Sequence, residues 1–273
     1  MHPVLFHVGT VPIPTHDFFT GLGVVTATVL MLREADRRGR LDRRLLFIAA
    51  GGLLGGAIGA RAGMAWRYLT LAHHPTVLGL LVDSGKTIVG GLAGAYAGVL
   101  LAKRAVGYRE HTGDYFAIAV ALGLAIGRIG CFLTEPPGHP TSLPWGVHMT
   151  PDRLARHPSF LYETLFLVLL AGGLRWLRPR LDAAPGELFV VFLGSYAMFR
   201  FGVEFVRQND IWILGLTRSQ VFLLATFPLL ATHVVRQARA GTYQAVLHPT
   251  ASKEVDHVRR AAVRAGGAGT EPV

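Results

Sequence analysis

Several ionisable side chains stand inside stretches too apolar to hold them without a reason. Arg128 lies in AIGRIGCFLTE (125–135), near the end of an apolar run from Tyr115 to Leu133. Arg200 and Glu204 lie in MFRFGVEFVRQND (198–210), at the end of a second run. HPSFLYE (157–163) opens a third run with His157, Tyr162 and Glu163, and GARAG (59–63) puts Arg61 at the end of a fourth. A guanidinium holds phosphate through two parallel hydrogen bonds. Carboxylates orient such arginines, a phenol donates to an oxygen, and an imidazole accepts a proton near neutrality. Together these side chains suit the binding of an anion such as a phosphate-bearing molecule. The structural alternative is a set of intramembrane ion pairs, with arginines snorkelling to the headgroups.

The elements that position them are set by composition. Of the 273 residues, 51% are hydrophobic, and repeated apolar runs are long enough to cross a bilayer core of about 30 Å. The net charge of +10 would suggest nucleic acid in a soluble protein. Here the basic residues fall between apolar runs, without interleaved aromatics for base stacking, so topology and anionic headgroups account for them and no nucleic-acid partner is expected. The single cysteine, Cys131, forbids an intrachain disulfide. It reads as a packing residue, and neither a metal nor a cofactor is expected.

Seven spans are expected, at Phe18–Leu32, Leu45–Trp66, Thr87–Leu101, Tyr115–Leu133, Phe160–Leu177, Glu187–Phe205 and Ile213–Val235. The first and third need flanking polar residues to reach full length. Basic residues concentrate after spans one, three, five and seven, for example Arg37, Arg38, Arg43 and Arg44, then Lys103 and Arg104. The positive-inside rule then puts the N-terminus outside and the C-terminus in the cytoplasm, with Ser142 outside and Ala183 inside. The basic residues follow the first apolar run rather than precede it, so that run is expected to stay as a helix. The expected fold is an all-α integral membrane protein. Its membrane domain is 1–235, with a small extracytoplasmic head loop at 134–157, and 236–273 is a basic cytoplasmic tail expected to be disordered.

At about 1.5 Å per residue, this orientation puts Arg61, Arg128, Tyr162, Glu163, Arg200 and Glu204 in the outer half of the membrane. Transporters place such residues nearer the midplane and show paired interrupted helices, so a transporter or channel fits less well. Glycines four apart, Gly51, Gly55, Gly59 and Gly63, then Gly90, Gly94 and Gly98, form faces on which two helices can approach closely. At Gly90 and Gly91 a ligand could also reach the backbone. The segment TEPPGHPTSLPWGVHMTPDRLARHPSF cannot be helical throughout, but Leu143, Trp145 and Val147 give it something to bury.

GARAG (59–63), GGLAG (90–94), GRIGCF (127–132) with GHPTSLPWG (138–146), HPSFLYE (157–163) and RFGVEFVRQND (200–210) occur in this order. In these stretches the chain resembles the bacterial prolipoprotein diacylglyceryl transferases. The resemblance implies an enzyme of the bacterial cytoplasmic membrane whose active site faces the outer leaflet. It would transfer the diacylglyceryl group of phosphatidylglycerol to the lipobox cysteine of a secreted prolipoprotein, the first step of lipoprotein maturation. Arg128 and Arg200 would hold the phosphate, with Arg61, Glu204, Gly90, Gly91 and Gly138 at the headgroup. His157 would be the base or a loop-shaping residue, Tyr162 a donor to a lipid oxygen, and Glu163 an orienting carboxylate.

The chain departs from the family pattern in places. Val89 stands where histidine or tyrosine is common, Cys131 where asparagine is, His16 where a tyrosine aligns, and Phe160 where glutamine is; the loop after Cys131 is one residue shorter. Valine neither binds a proton nor donates a hydrogen bond. A paralogue with another acceptor or lipid, or a lipid-binding protein without catalysis, therefore stands as the alternative.

Overall fold

The computed structural model describes residues 3–63, 65–71, 76, 79, 87–182 and 184–247. Ala183 and residues 248–273, most of the expected tail, lie outside the described residues. The long elements are α1 (Thr15–Arg37), α2 (Arg43–Ala62), α4 (Ile88–Ala105), α5 (Gly113–Thr134), α6 (Ser159–Leu181), α7 (Glu187–Val203) and α8 (Arg218–Arg239). Short helices α3 (Ala65–Leu71) and α9 (Gln244–Leu247) accompany them, and a 3-10 turn at Glu204–Val206 extends α7. Among the described residues, α1, α2, α5, α6, α8 and α7 with its extension are long and apolar enough to cross a membrane, six in all. The chain is therefore a multi-pass membrane protein. The third expected span, Thr87–Leu101, coincides with α4.

Polar flanks join the first helix, which runs from Thr15 to Arg37 rather than from Phe18 to Leu32. Span two ends earlier than expected, at Ala62 with Gly63 as its C-cap, and α3 starts afresh at Ala65. The seventh span needs the largest correction. Ile211–Ile213 and Leu216–Thr217 form an antiparallel hairpin, β3 and β4, so the helix starts at Arg218 instead of Ile213. Its turn places Leu214 and Gly215 at φ 51 and 75. Thr217 then caps α8 by accepting from the Gln220 amide, while the Gln220 side chain takes the Thr217 N–H. A second hairpin, β1 (Val4–Val8) and β2 (Val11–Pro14), precedes α1 and turns at Gly9. The fold is thus helical across the membrane with two small hairpins, not helical throughout.

The chain divides into two compact units, Met1–Ala27 with Thr112–Val273, and Thr28–His111. In the second unit, α2 and α4 pack through their glycines. A Cβ built on Gly55 would stand 2.2 Å from the Gly94 carbonyl oxygen, and one on Gly98 would stand 2.1 Å from that of Gly51. The expected packing role of these glycines holds, because the side chain's absence lets the backbones touch. Gly90 belongs to the same seam, its built Cβ falling 2.4 Å from the Gly59 oxygen.

In the first unit, α5, α6 and α7 pack against one another and α8 lies on α7. Leu167, Leu174, Leu188 and Phe192 are among its fully buried side chains. Gly23 and Gly123 bring α1 and α5 close, a Cβ on Gly23 being 2.4 Å from the Gly123 oxygen. Asp114 at the start of α5 accepts from the Gly186 and Leu188 amides, tying down the N-terminus of α7. Tyr243, beyond α8, and His233, within it, both reach the Glu187 carboxylate, at 2.6 and 2.9 Å.

The head loop is held by backbone bonds rather than by regular sheet. Val147 and Arg156 exchange both amide hydrogen bonds, Thr141 donates to Ala155, and Gly138 and His157 bond to His157 and His139. Arg156, 9% exposed, donates to Asp152, Thr150 and Gly138. Gly138 is required as glycine, since a Cβ there would lie 2.1 Å from the Val206 oxygen.

Candidate functional site

A guanidinium inside a membrane is tolerated when its charge and its donors find partners. Arg128, two turns from the end of α5, meets this need through Glu163 on the first turns of α6: Nε lies 2.9 Å from Oε1. The same oxygen accepts from the Tyr196 hydroxyl of α7 at 2.6 Å. Glu163 is completely buried. Its other oxygen lies 3.7 Å from Arg207 Nη1, an ion pair too long to be a hydrogen bond.

Arg200, one turn after Tyr196 on α7, pairs with Glu204 of the 3-10 extension. Helical spacing of four residues puts the two side chains on one face. Glu204 Oε1 also accepts from Asn209 and from Thr217, both at 2.8 Å. The hairpin between α7 and α8 thus delivers the N-cap threonine of α8 to the site's second carboxylate.

Arg207 and Arg128 both face the ring of Phe160, at 4.4 and 5.8 Å from its centroid. Phe160 is 2% exposed. An aromatic face lowers the cost of a buried cation, so phenylalanine in place of the family's glutamine still serves the arginines. Burial, then the like charges of Arg200 and Arg128, lower the pKa of Arg207 below its ordinary value.

Three guanidiniums, Arg128, Arg200 and Arg207, therefore share two carboxylates, Glu163 and Glu204. Three positive charges less two negative leave the cluster one positive charge in excess. Arg128 Nη2, Arg200 Nε and Arg207 Nη1 are buried donors, and Glu163 Oε2 a buried acceptor, with no hydrogen-bond partner among the described residues. Buried guanidinium donors of this kind are suited to an anion, since its oxygens would meet donors already in place.

Beside Glu163, the Tyr162 hydroxyl accepts from the Trp145 indole N–H at 2.9 Å and lies 3.2 Å from His157 Nδ1. Either the phenol donates to Nδ1 or Nδ1–H donates to the phenol. In the second tautomer, Nε2 keeps a free lone pair and the phenol keeps its proton for another acceptor. Trp145 comes from the head loop, so that loop is fastened to the start of α6 at the residues with proton-transfer chemistry.

Sequence reasoning found Arg128, Glu163, Arg200 and Glu204, and the structure brings them into two linked ion pairs. His157 and Tyr162 are in contact with each other, and Gly138 packs under His157. Arg61, Gly90 and Gly91 belong to the second unit; Arg61 is half-exposed near the end of α2. Val89 lies in the first turn of α4, and its side chain lies outside the described residues. Sequence reasoning missed Arg207, Tyr196, Asn209 and Thr217. Arg207 and Asn209 stood inside a motif already singled out, and Tyr196 lies one helical turn before Arg200. Thr217 was hidden because its segment reads as part of a span.

Fold and site together define a multi-pass membrane protein with a buried, net-positive arginine–carboxylate cluster at one end of a helix bundle. The family model for prolipoprotein diacylglyceryl transferase matches residues 3–236, and the chain belongs to that family. It is 32% identical over 245 residues to the phosphatidylglycerol–prolipoprotein diacylglyceryl transferase of Geobacter sulfurreducens, covering 83% of this chain and 90% of that protein. The protein of the same name from Chromohalobacter salexigens is 35% identical, over 76% of this chain and 80% of its own length. That from Geobacillus kaustophilus is 32% identical, over 86% and 93%.

Proposed function

We propose that this protein transfers the diacylglyceryl group of phosphatidylglycerol to the lipobox cysteine of secreted prolipoproteins, at the outer leaflet of the bacterial cytoplasmic membrane. The observation that carries the reading is the convergence of Arg128, Arg200 and Arg207 on two carboxylates, with one buried donor of each arginine making no hydrogen bond among the described residues. Family membership supports the same chemistry. On this reading α4 is a seventh span, the N-terminus is outside and the C-terminus cytoplasmic. The head loop and the arginine cluster then share the outer face.

Arg128 and Arg200 bind the lipid phosphate, and Arg207 adds charge. Glu163 and Glu204 hold the guanidiniums in register rather than react. The acceptor's thiol gives its proton to Nε2 of His157, whose Nδ1–H is held by Tyr162. Tyr162 then donates to a lipid oxygen. The sulfur attacks the terminal carbon of the diacylglyceryl unit, an S–C bond forms, the C–O bond to phosphate breaks, and glycerol 1-phosphate leaves. The arginines stabilise the charge that gathers on the departing phosphate. Gly138 lets the head loop approach His157 closely. Arg61, Gly90 and Gly91 are assigned to headgroup contacts on their sequence motifs.

The test is direct. Purified protein, phosphatidylglycerol and a lipobox peptide should yield the peptide bearing a diacylglyceryl thioether, with one glycerol phosphate released per adduct. A peptide with serine in place of cysteine should give neither. Binding of phosphatidylglycerol without any adduct would reject the transfer reading and leave a lipid-binding protein.

A further inference from the structure

His16, Cys131 and Glu135 offer one nitrogen, one sulfur and one carboxylate oxygen, all within 4.8 Å of one another. They lie outside the ion pairs described above, and the sequence reading expected no metal. Two are departures from the family pattern, and they meet in space.

The backbone holds them there. Cys131 and Glu135 are four residues apart at the end of α5, on one helix face, and the Glu135 amide donates to the Cys131 carbonyl at 2.8 Å. His16 comes from the first turn of α1. Gly130 lets that turn sit against α5, since a Cβ there would lie 2.8 Å from Phe19 Cβ and 3.3 Å from His16 Cα. His16 Nε2 faces Glu135 Oε1 at 3.8 Å, while Nδ1 faces Asp17 Oδ1 at 3.3 Å. A carboxylate accepts only, so Nδ1 carries a proton, and in the neutral imidazole Nε2 then presents its lone pair. A ligating histidine backed by a carboxylate is a common metal-site arrangement.

We propose that His16, Cys131 and Glu135 form a binding site for a thiophilic divalent cation of the zinc class. Mixed nitrogen, sulfur and oxygen ligands suit zinc, and three protein ligands leave a fourth position open. With zinc bonds of about 2.0–2.3 Å, ligand atoms in a tetrahedral site stand roughly 3.4–3.8 Å apart, so the set closes by about an ångström at its widest. Thiolate and carboxylate neutralise the ion's two charges, and the thiol proton is released to solvent. The cation enters past His16 and Glu135, whose side chains are 31% and 41% exposed. Arg128 Nη1, 3.6 Å from the sulfur, stays as a hydrogen-bond donor to the thiolate.

The test uses the full-length protein in detergent, titrated with Co2+ and then with Zn2+. The chain has a single cysteine, so a thiolate-to-cobalt charge-transfer band reports this site and no other. The proposal expects that band at one equivalent and its loss on adding Zn2+ or in Cys131→Ser. His16→Ala and Glu135→Gln should each weaken binding by about tenfold or more, and Asp17→Asn by about tenfold. Melting temperatures establish that each variant is folded; if Cys131→Ser is not, the His16 and Glu135 variants decide. No charge-transfer band in the parent protein, or a band with unchanged affinity in both His16→Ala and Glu135→Gln, overturns the proposal. The readout is binding, so it does not depend on the transfer reaction.

Discussion

Glu163 is bound from three sides, by Arg128, Tyr196 and Arg207. Losing its charge strands buried cations, and breaking a buried pair in this way costs about 3–5 kcal/mol. Glu163→Gln should therefore lower the melting temperature and abolish lipid transfer together. Tyr196→Phe removes one hydrogen bond and keeps the charges, at a cost of about 1 kcal/mol. It should melt slightly earlier and keep most of its transfer activity. Measuring both variants side by side separates charge from packing; a normal melting temperature in Glu163→Gln would contradict the ion-pair description. Much of this cluster was legible from residue type, because a charge in an apolar run is conspicuous. Tyr196 was not, because a tyrosine in such a run is ordinary, and its hydroxyl matters only through a carboxylate 33 positions away.

Among elements, the helices follow from long apolar runs with polar ends, and their glycine seams from spacing alone. The hairpins escaped. Ile211–Trp212–Ile213–Leu214 is as apolar as a helix, and only Gly215 and the Thr217–Gln220 capping pair mark the true start of α8. The seam between α2 and α4 makes a sharp forecast. Gly55→Ala drives a methyl into the Gly94 carbonyl, where neither backbone has room to yield. It should destabilise by roughly 1–3 kcal/mol, read as an earlier melt in detergent, whereas Gly172→Ala, with nothing near its Cβ, should not. The head loop answers to pH. Hydrogen bonds from Thr150 and Arg156 hold the Asp152 carboxyl down at about 2. A depressed carboxylate stabilises the fold above its unfolded value of about 3.9, and that contribution fades as pH falls toward the folded value. The protection of the Val147 and Arg156 amides, taken relative to their intrinsic exchange at each pH, should therefore fall between about pH 4 and pH 2. Asp152→Asn should show fast exchange already at neutral pH, and unchanged exchange in that variant would remove Asp152 from the loop's support.

At the scale of the molecule, the proposed orientation ties the arginine cluster to one leaflet. In a Cys131→Ala background, Ser142→Cys should react with an impermeant thiol reagent added outside cells, and Ala183→Cys should not. Labelling of Ala183→Cys from outside would invert the orientation and remove the outer-leaflet site. Family membership came from ordered motifs spread along the chain, which survive the changes at Val89, Cys131 and Phe160. How the site's charges balance became visible only once the helices were packed. The central claim is that Arg128 grips a lipid phosphate through the geometry of its guanidinium. It is tested most directly by lipid binding, lipobox-peptide transfer and melting temperature, measured together in the parent protein, Arg128→Lys and Arg128→Ala. The account predicts that the lysine variant folds but loses most transfer, because an ammonium cannot make two parallel bonds. It predicts that the alanine variant loses phosphatidylglycerol binding as well. Normal transfer by Arg128→Lys, or normal lipid binding by an Arg128→Ala protein that merely melts early, would contradict it.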